Sequence, residues 1–250
     1  MFAGDLANQS GYEQFTVNPL NKMNAAYINN NKSYYQANKQ AEDRIALSLY
    51  YRLATSFVKT GKVLDFGCGT GHFIKRFKDG YETWAYDVSP YALGSVRAIA
   101  PNANICSSPE ALNELDLVVS VHVMEHLKDP FETLRLFHKI LHDGGVLLYI
   151  VPDVSGLGHK IKKQRWVGYG DPSHISLYPA EKWLCWTEAA GFKILKTGTD
   201  GLWHVPYLPL IPQWVQKLIF YPLPAIQVIT GHLFLPAGWG ESLVVVAQKN

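Results

Sequence analysis

Val63-Leu64-Asp65-Phe66-Gly67-Cys68-Gly69-Thr70-Gly71 is an apolar run that carries a carboxylate and enters a glycine-rich turn. A run of this kind reads as strand, turn and helix: glycine lets the backbone approach a ligand closely, and a helix N-terminus offers N–H groups to it. The pattern indicates a nucleotide-like cofactor site. A dinucleotide fingerprint requires G-x-G-x-x-G, whereas these glycines fall as G-x-G-x-G and His72 stands where the third glycine belongs. Asp65 also sets a carboxylate beside the turn, which suits a cationic amino-acid group and repels a pyrophosphate.

Outward from this stretch, short apolar runs alternate with amphipathic ones. Strands are expected at Val63–Phe66, Thr83–Tyr86, Asn104–Cys106, Leu117–Val121 and Gly145–Val151, with helices Gly71–Phe77, Ala92–Ala100 and Phe131–Leu141 between them. A helix near Ala180–Ala190, a strand near Phe192–Thr197 and a closing strand Ser242–Gln248 complete the set. The alternation predicts an α/β fold: a Rossmann-like, doubly wound seven-stranded sheet, mostly parallel, with helices on both faces. Ahead of it the chain is polar and rich in Asn and Tyr, then turns helical where Ala41, Ile45, Leu49 and Leu53 recur every fourth residue.

A chain of 250 residues can bury a core without disulfide staples. Its charge balance of +2 gives no broad footprint for nucleic acid, so none is expected as a partner. Cys68, Cys106 and Cys185 form no C-x-x-C pair, which fits a reducing, cytoplasmic setting and indicates no structural zinc. The amino terminus shows no basic patch followed by an apolar run, so no secretory signal is read there. Only 18% of residues are charged, against about 25% in an ordinary soluble domain. Much of that deficit lies in residues 202–240, which hold one charged side chain (Lys217), six prolines and three of the seven tryptophans. Leu218–Gly240 is long enough to span a bilayer, but Pro222, Pro224, Gly231, His232 and Pro236 interrupt the ladder that a spanning helix needs. The expected organisation is a leader and lid over 1–61, a cofactor domain over 62–200 and 241–250, and a hydrophobic insertion over 201–240. That insertion reads as a substrate cap or as a peripheral, membrane-interfacial segment.

Several motifs together carry a family resemblance over residues 40–200 and the last strand. D-x-G-x-G-x-G at Asp65–Gly71 resembles the first motif of class I S-adenosylmethionine (SAM) dependent methyltransferases. Asp87, ending Trp84-Ala85-Tyr86-Asp87, matches the acid that holds the cofactor's ribose hydroxyls in that family; a carboxylate is a bidentate acceptor suited to two adjacent donors. The stretch Leu115–Pro130, with its Val123-Met124-Glu125-His126-Leu127-Lys128-Asp129-Pro130 end, is similar to the small-molecule branch that includes the ubiquinone O-methyltransferases. Asp143-Gly144-Gly145 resembles the family's turn into strand five. The resemblance implies SAM as cofactor, an antiparallel last strand, and cofactor contacts from Asp65, Gly67, Cys68, Gly69, Gly71, Asp87, Val88, Ser107, Ser120 and His122. Ser107 departs from the acidic residue often found at the adenine edge. Tyr34, Tyr35 and Arg44 resemble the family's lid.

Methyl transfer from a sulfonium is an in-line displacement; a base is needed when the acceptor is a hydroxyl or a protonated amine. His122, Glu125 and His126 share one face if the turn after strand four is helical. Three readings stay open for them: a divalent cation site, His126 as a base or acceptor contact, and a structural Glu–His pair. His174, in Gly170-Asp171-Pro172-Ser173-His174, is a second base candidate with Asp171 to orient it. No metal is assigned, and the catalytic candidates are His126 and His174. His159–Arg165 places five basic or potentially basic residues in seven, a solvated loop or a site for an anionic substrate or lipid. The expected activity is methyl transfer to a small or lipid-linked acceptor, with oxygen favoured. The rivals are an NAD-dependent enzyme, since Asp87 lies twenty residues beyond Gly67, and a non-catalytic, membrane-peripheral SAM-binding module.

Overall fold

The computed structural model describes residues 32–37 and 42–250, and within the short helix α1 (Lys32–Ala37) the side chains of Lys32, Tyr35 and Gln36. Helix α2 (Ala46–Phe57) precedes β1 (Gly61–Phe66), which lies within a seven-stranded sheet of order β3-β2-β1-β4-β5-β7-β6. The other strands are β2 (Tyr81–Tyr86), β3 (Asn104–Ile105), β4 (Leu115–Val121), β5 (Leu141–Pro152), β6 (Phe192–Gly198) and β7 (Ser242–Lys249). From β3 to β5 all pairings are parallel, while β7 runs antiparallel to both β5 and β6.

The central strands are buried on both faces, so they are near-continuous apolar runs, and side-chain alternation sorts them into two layers. Leu64, Phe66, Val118, Leu147 and Tyr149 share one layer with Phe137 of α4 (Pro130–Ile140) and Trp183 of α6 (Ala180–Ala189). Val63, Leu117, Val119, Leu148 and Ile150 share the other with Leu49 and Leu53 of α2 and Val96 of α3 (Pro90–Ile99). Ser89 caps α3 by accepting from Ala92 N, and Asp129 caps α4 by accepting from Glu132 N; each cap is followed by a proline at the first helical position. Helix α5 (Leu157–Lys162) follows β5, and α7 (Gln213–Phe220) and α8 (Pro222–Thr230) fill the long connection between β6 and β7. No helix of the described residues is long and apolar enough to cross a membrane.

Two expected elements differ. The helix expected over Gly71–Phe77 is a single 3-10 turn, Ile74–Arg76. Phe73, Ile74 and Phe77 are still buried, and the chain turns into β2 where Tyr81 N donates to the Lys78 carbonyl at 3.0 Å. The leader helix begins at Ala46, after Ile45, which is exposed, and Ala41 lies outside the described residues.

Candidate active site

The glycine-rich turn leaves β1 at the carboxyl edge of the sheet. Gly67 and Gly69 have φ of +78° and +51°, values that side-chain-bearing residues rarely adopt. At Gly67 a Cβ would also collide with the Val123 side chain. Asp87, just past β2, braces this turn: its carboxylate accepts from Gly69 N at 2.9 Å, from Ser89 N at 2.8 Å and from the Tyr35 hydroxyl at 3.4 Å. Tyr35 is fully buried and packs against Tyr91, so α1 closes over the turn. Because no α-helix follows the glycines, the expected helix N-terminus is replaced by the amides of the turn itself.

Asp65, Gly67, Cys68, Gly69, Arg44 and His122 line a small cavity of about 40 Å³ above the turn. Asp65 is 2% exposed, and its Oδ2 has no hydrogen-bond partner among the described residues. Burial, and then the charge of Asp87, push its carboxyl up to about 8, while burial pushes Asp87 up to about 6. A buried carboxyl kept neutral for want of a counter-charge fits an ammonium group, and an acid beside backbone amides fits paired hydroxyls. SAM carries both groups. Of the other expected contacts, Gly71 packs against Val96, and Val88 is half-buried in the turn after β2. Ser107 is exposed past β3, and Ser120 is buried inside β4 and lines neither cavity. The Tyr34 side chain lies outside those described.

Arg44 and His122 also line a second cavity, of about 600 Å³, so the two adjoin at these residues. His122 has φ of +56°, a left-handed turn for a non-glycine residue just past the end of β4, and it aims its ring at Glu125, Nδ1 to Oε1, at 3.3 Å. His126 and His174 line the larger cavity with Glu125, Trp166, Trp203 and Asp200. The orienting acid is not arranged as the sequence indicates. Asp171 Oδ1 accepts from the Ser173 hydroxyl at 2.5 Å, and Ser173 Oγ lies 2.9 Å from His126 Nδ1. The serine's proton is therefore committed to Asp171, so His126 Nδ1–H donates to the serine and the basic lone pair falls on Nε2. His174 instead donates Nδ1–H to the Gly168 carbonyl at 2.6 Å, which turns its Nε2 toward Glu125 Oε1, 4.0 Å away. Asp171 thus reaches His126 through Ser173, across a long stretch of sequence. The Glu125 carbonyl draws that loop in by accepting from Ile175 N at 3.0 Å and Ser176 N at 2.9 Å.

Glu125 is fully buried. Burial works to raise its pKa, but the hydrogen bond from His122 and the charges of His122, His126 and His174 outweigh it and hold the carboxyl below its usual value. Burial lowers the pKa of His126, against the pull of Glu125. The ring is thus neutral near pH 7, beside a carboxylate that stabilises the imidazolium once it forms. The candidate ligand atoms of Glu125, His126 and His174 lie within 4.8 Å of one another. A closed tetrahedral zinc shell would bring ligand atoms to about 3.3 Å, so this trio is looser than such a shell. His122 is not part of it.

Sequence reasoning missed Asp200, Glu241, Tyr50, Trp166 and Ser173. Asp200 Oδ2 accepts from the Tyr50 hydroxyl at 2.6 Å, and Glu241 Oε2 pairs with His204 Nδ1. Asp200 Oδ1, Glu241 Oε1 and Glu125 Oε2 are buried with no hydrogen-bond partner among the described residues. Asp200 and Glu241 were legible as the acids at the two borders of the charge-poor segment.

Residues 36–197 match the family model described as a methyltransferase domain. Malonyl-[acyl-carrier protein] O-methyltransferase of Hahella chejuensis is 35% identical over 96 residues, 34% of this chain and 34% of that protein. The tRNA U34 carboxymethyltransferase of Hydrogenovibrio crunogenus is 29% identical over 158 residues, 55% of this chain and 46% of the relative. The chain thus spans half or less of the length of these two relatives. Among solved structures, a SAM-dependent methyltransferase from Archaeoglobus fulgidus superposes with a TM-score of 0.60 at 19% identity, covering 86% of this chain and all of that one, a likeness of fold. With the family model covering more than half of the chain, it belongs to the class I SAM-dependent methyltransferases.

Proposed function

We propose that the chain transfers the SAM methyl group to a hydroxyl oxygen of a small or lipid-linked acceptor seated in the larger cavity, with His126 as the base and His174 beside it. The observation that carries this reading is the Asp171–Ser173–His126 relay, which fixes the tautomer of a buried, neutral imidazole at the wall of the cavity. SAM supplies an electrophilic methyl group on a sulfonium, with a thioether as leaving group. His126 Nε2 takes the hydroxyl proton as the oxygen bonds to the methyl carbon, and the Glu125 carboxylate stabilises the resulting imidazolium. Asp65 and Asp87 hold the cofactor's ammonium and ribose hydroxyls. Asp200 and Glu241 also line this cavity and suit an acceptor that carries further hydroxyl donors. Trp203 and His204, from residues 201–240, wall the cavity and act as its cap.

The test incubates the protein with SAM labelled in its methyl group and with aqueous and lipid extracts of the source organism. Label passes to an extract component, and His126→Asn slows the transfer by about 10²–10⁴-fold while keeping the melting shift given by SAM. A wild-type protein that melts higher with SAM yet labels nothing refutes catalysis, and an equal shift with NAD refutes the cofactor assignment.

A further inference from the structure

Helix α7 is built inside out, and α8 buries a glutamine beside Pro224 and Val228 while its outer face is apolar. A surface helix ordinarily turns its apolar stripe inward and its polar residues to water. Here each helix buries a glutamine. Gln216 receives the backbone N–H groups of Tyr207 and Leu208 and donates to the carbonyls of Leu208 and Ile211. Gln227 receives those of Phe234 and Leu235 and donates to the Thr199 carbonyl. With polar side chains spent on holding the loops, the apolar ones point out: Trp214 is 67% exposed, Leu218 68% and Ile229 70%. Trp214 and Leu218 stand one turn apart on α7, and Leu223 and Ile226 of α8 are exposed as well.

The charges of two segments here have one sign. Residues 202–240 contain Lys217 and no carboxylate, and residues 154–170 contain Lys160, Lys162, Lys163 and Arg165 and no carboxylate. The second segment is tied to the first, since Lys162 donates to the His204 carbonyl and its ammonium lies 4.7 Å from the centre of the Tyr207 ring. Outward apolar side chains with a tryptophan and a cationic surround complement a bilayer surface that offers acyl chains beneath anionic headgroups.

We propose that α7 and α8 dock the protein on an anionic lipid bilayer, with Trp214, Leu218 and Ile229 entering the interface and the exposed cations Lys160, Lys163 and Arg165 facing the headgroups. Flotation of the full chain with vesicles of phosphatidylcholine, with and without phosphatidylglycerol, tests this. The chain floats with the anionic vesicles and less with the neutral ones. Trp214→Ser with Leu218→Ser weakens partitioning roughly a hundredfold, because two apolar side chains no longer enter the interface. That variant still gains melting temperature with SAM, which separates this outcome from a failure of the cofactor reading. Absence of flotation, or flotation that the variant keeps, overturns the proposal. So does a dimer that the same substitutions dissociate, which would make a second copy the occupant.

Discussion

Replacing Asp65 with Asn perturbs the most unfavourable charge in the cofactor site, and its effect on stability can be worked out from the structure. Burial and the neighbouring Asp87 push the Asp65 carboxyl from 3.8 to about 8. A carboxyl whose folded pKa is raised keeps its proton in the folded state while the unfolded chain gives it up. Stability is therefore lost as pH rises from the unfolded value toward the folded one. Each pH unit in that window is worth about 1.4 kcal/mol, so by pH 7 the cost reaches about 4 kcal/mol, of which about 2–3 kcal/mol accumulates above pH 5. Asparagine keeps the shape without the titration. Urea unfolding of the cofactor-free protein near pH 5 and pH 7 measures it: the stability of Asp65→Asn relative to the wild type increases by about 2–3 kcal/mol over that interval. Groups that titrate the other way, such as Glu125, act alike in both proteins and cancel in the comparison. A difference that is the same at both pH values refutes the buried state of Asp65 without a counter-charge. The same variant loses most of its stabilisation by SAM, and a full shift would refute the ammonium contact.

Ser173→Ala removes the link between Asp171 and His126, so kcat falls while SAM binding holds, and the pH profile of kcat moves; His126→Asn lowers kcat by about 10²–10⁴-fold. Tyr50→Phe leaves a second Asp200 oxygen unpaired in a buried site and costs about 1–3 kcal/mol in urea unfolding. Gly67→Ala meets both a left-handed φ and Val123, and it lowers stability by about 2 kcal/mol or more, read from the denaturation midpoint.

The sheet was legible because its central strands are buried on both faces: Val63–Phe66, Leu117–Val121 and Gly145–Val151 are almost wholly apolar, and Ser89-Pro90 and Asp129-Pro130 mark helix starts. The glycine turn and Asp87 were legible from local pattern, since the turn's glycines are contiguous with β1 and the bracing carboxylate follows directly on β2. The failures are long-range. No local pattern links Asp171 to His126, and the helical spacing of Phe73, Ile74 and Phe77 reads as a helix where the chain forms only a 3-10 turn. Helices α7 and α8 carry apolar residues at helical spacing, so sequence alone does not tell which face is turned inward. The two buried glutamines decide it.

The same two glutamines bear on how docking and chemistry are related. The roots of the 201–240 segment meet at a narrow neck, where Glu241 N donates to the Gly201 carbonyl at 3.1 Å and a Cβ on Gly240 would collide with Thr199 Oγ1. Gln227 fastens the hairpin to that neck through the Thr199 carbonyl, next to Asp200. Asp200 and Glu241 are thus at once the acids that face the acceptor cavity and the residues from which the apolar hairpin departs. The charge-poor segment and the polar cavity are therefore two sides of one structural unit, which presents an apolar face outward and the acids Asp200 and Glu241 at the cavity wall.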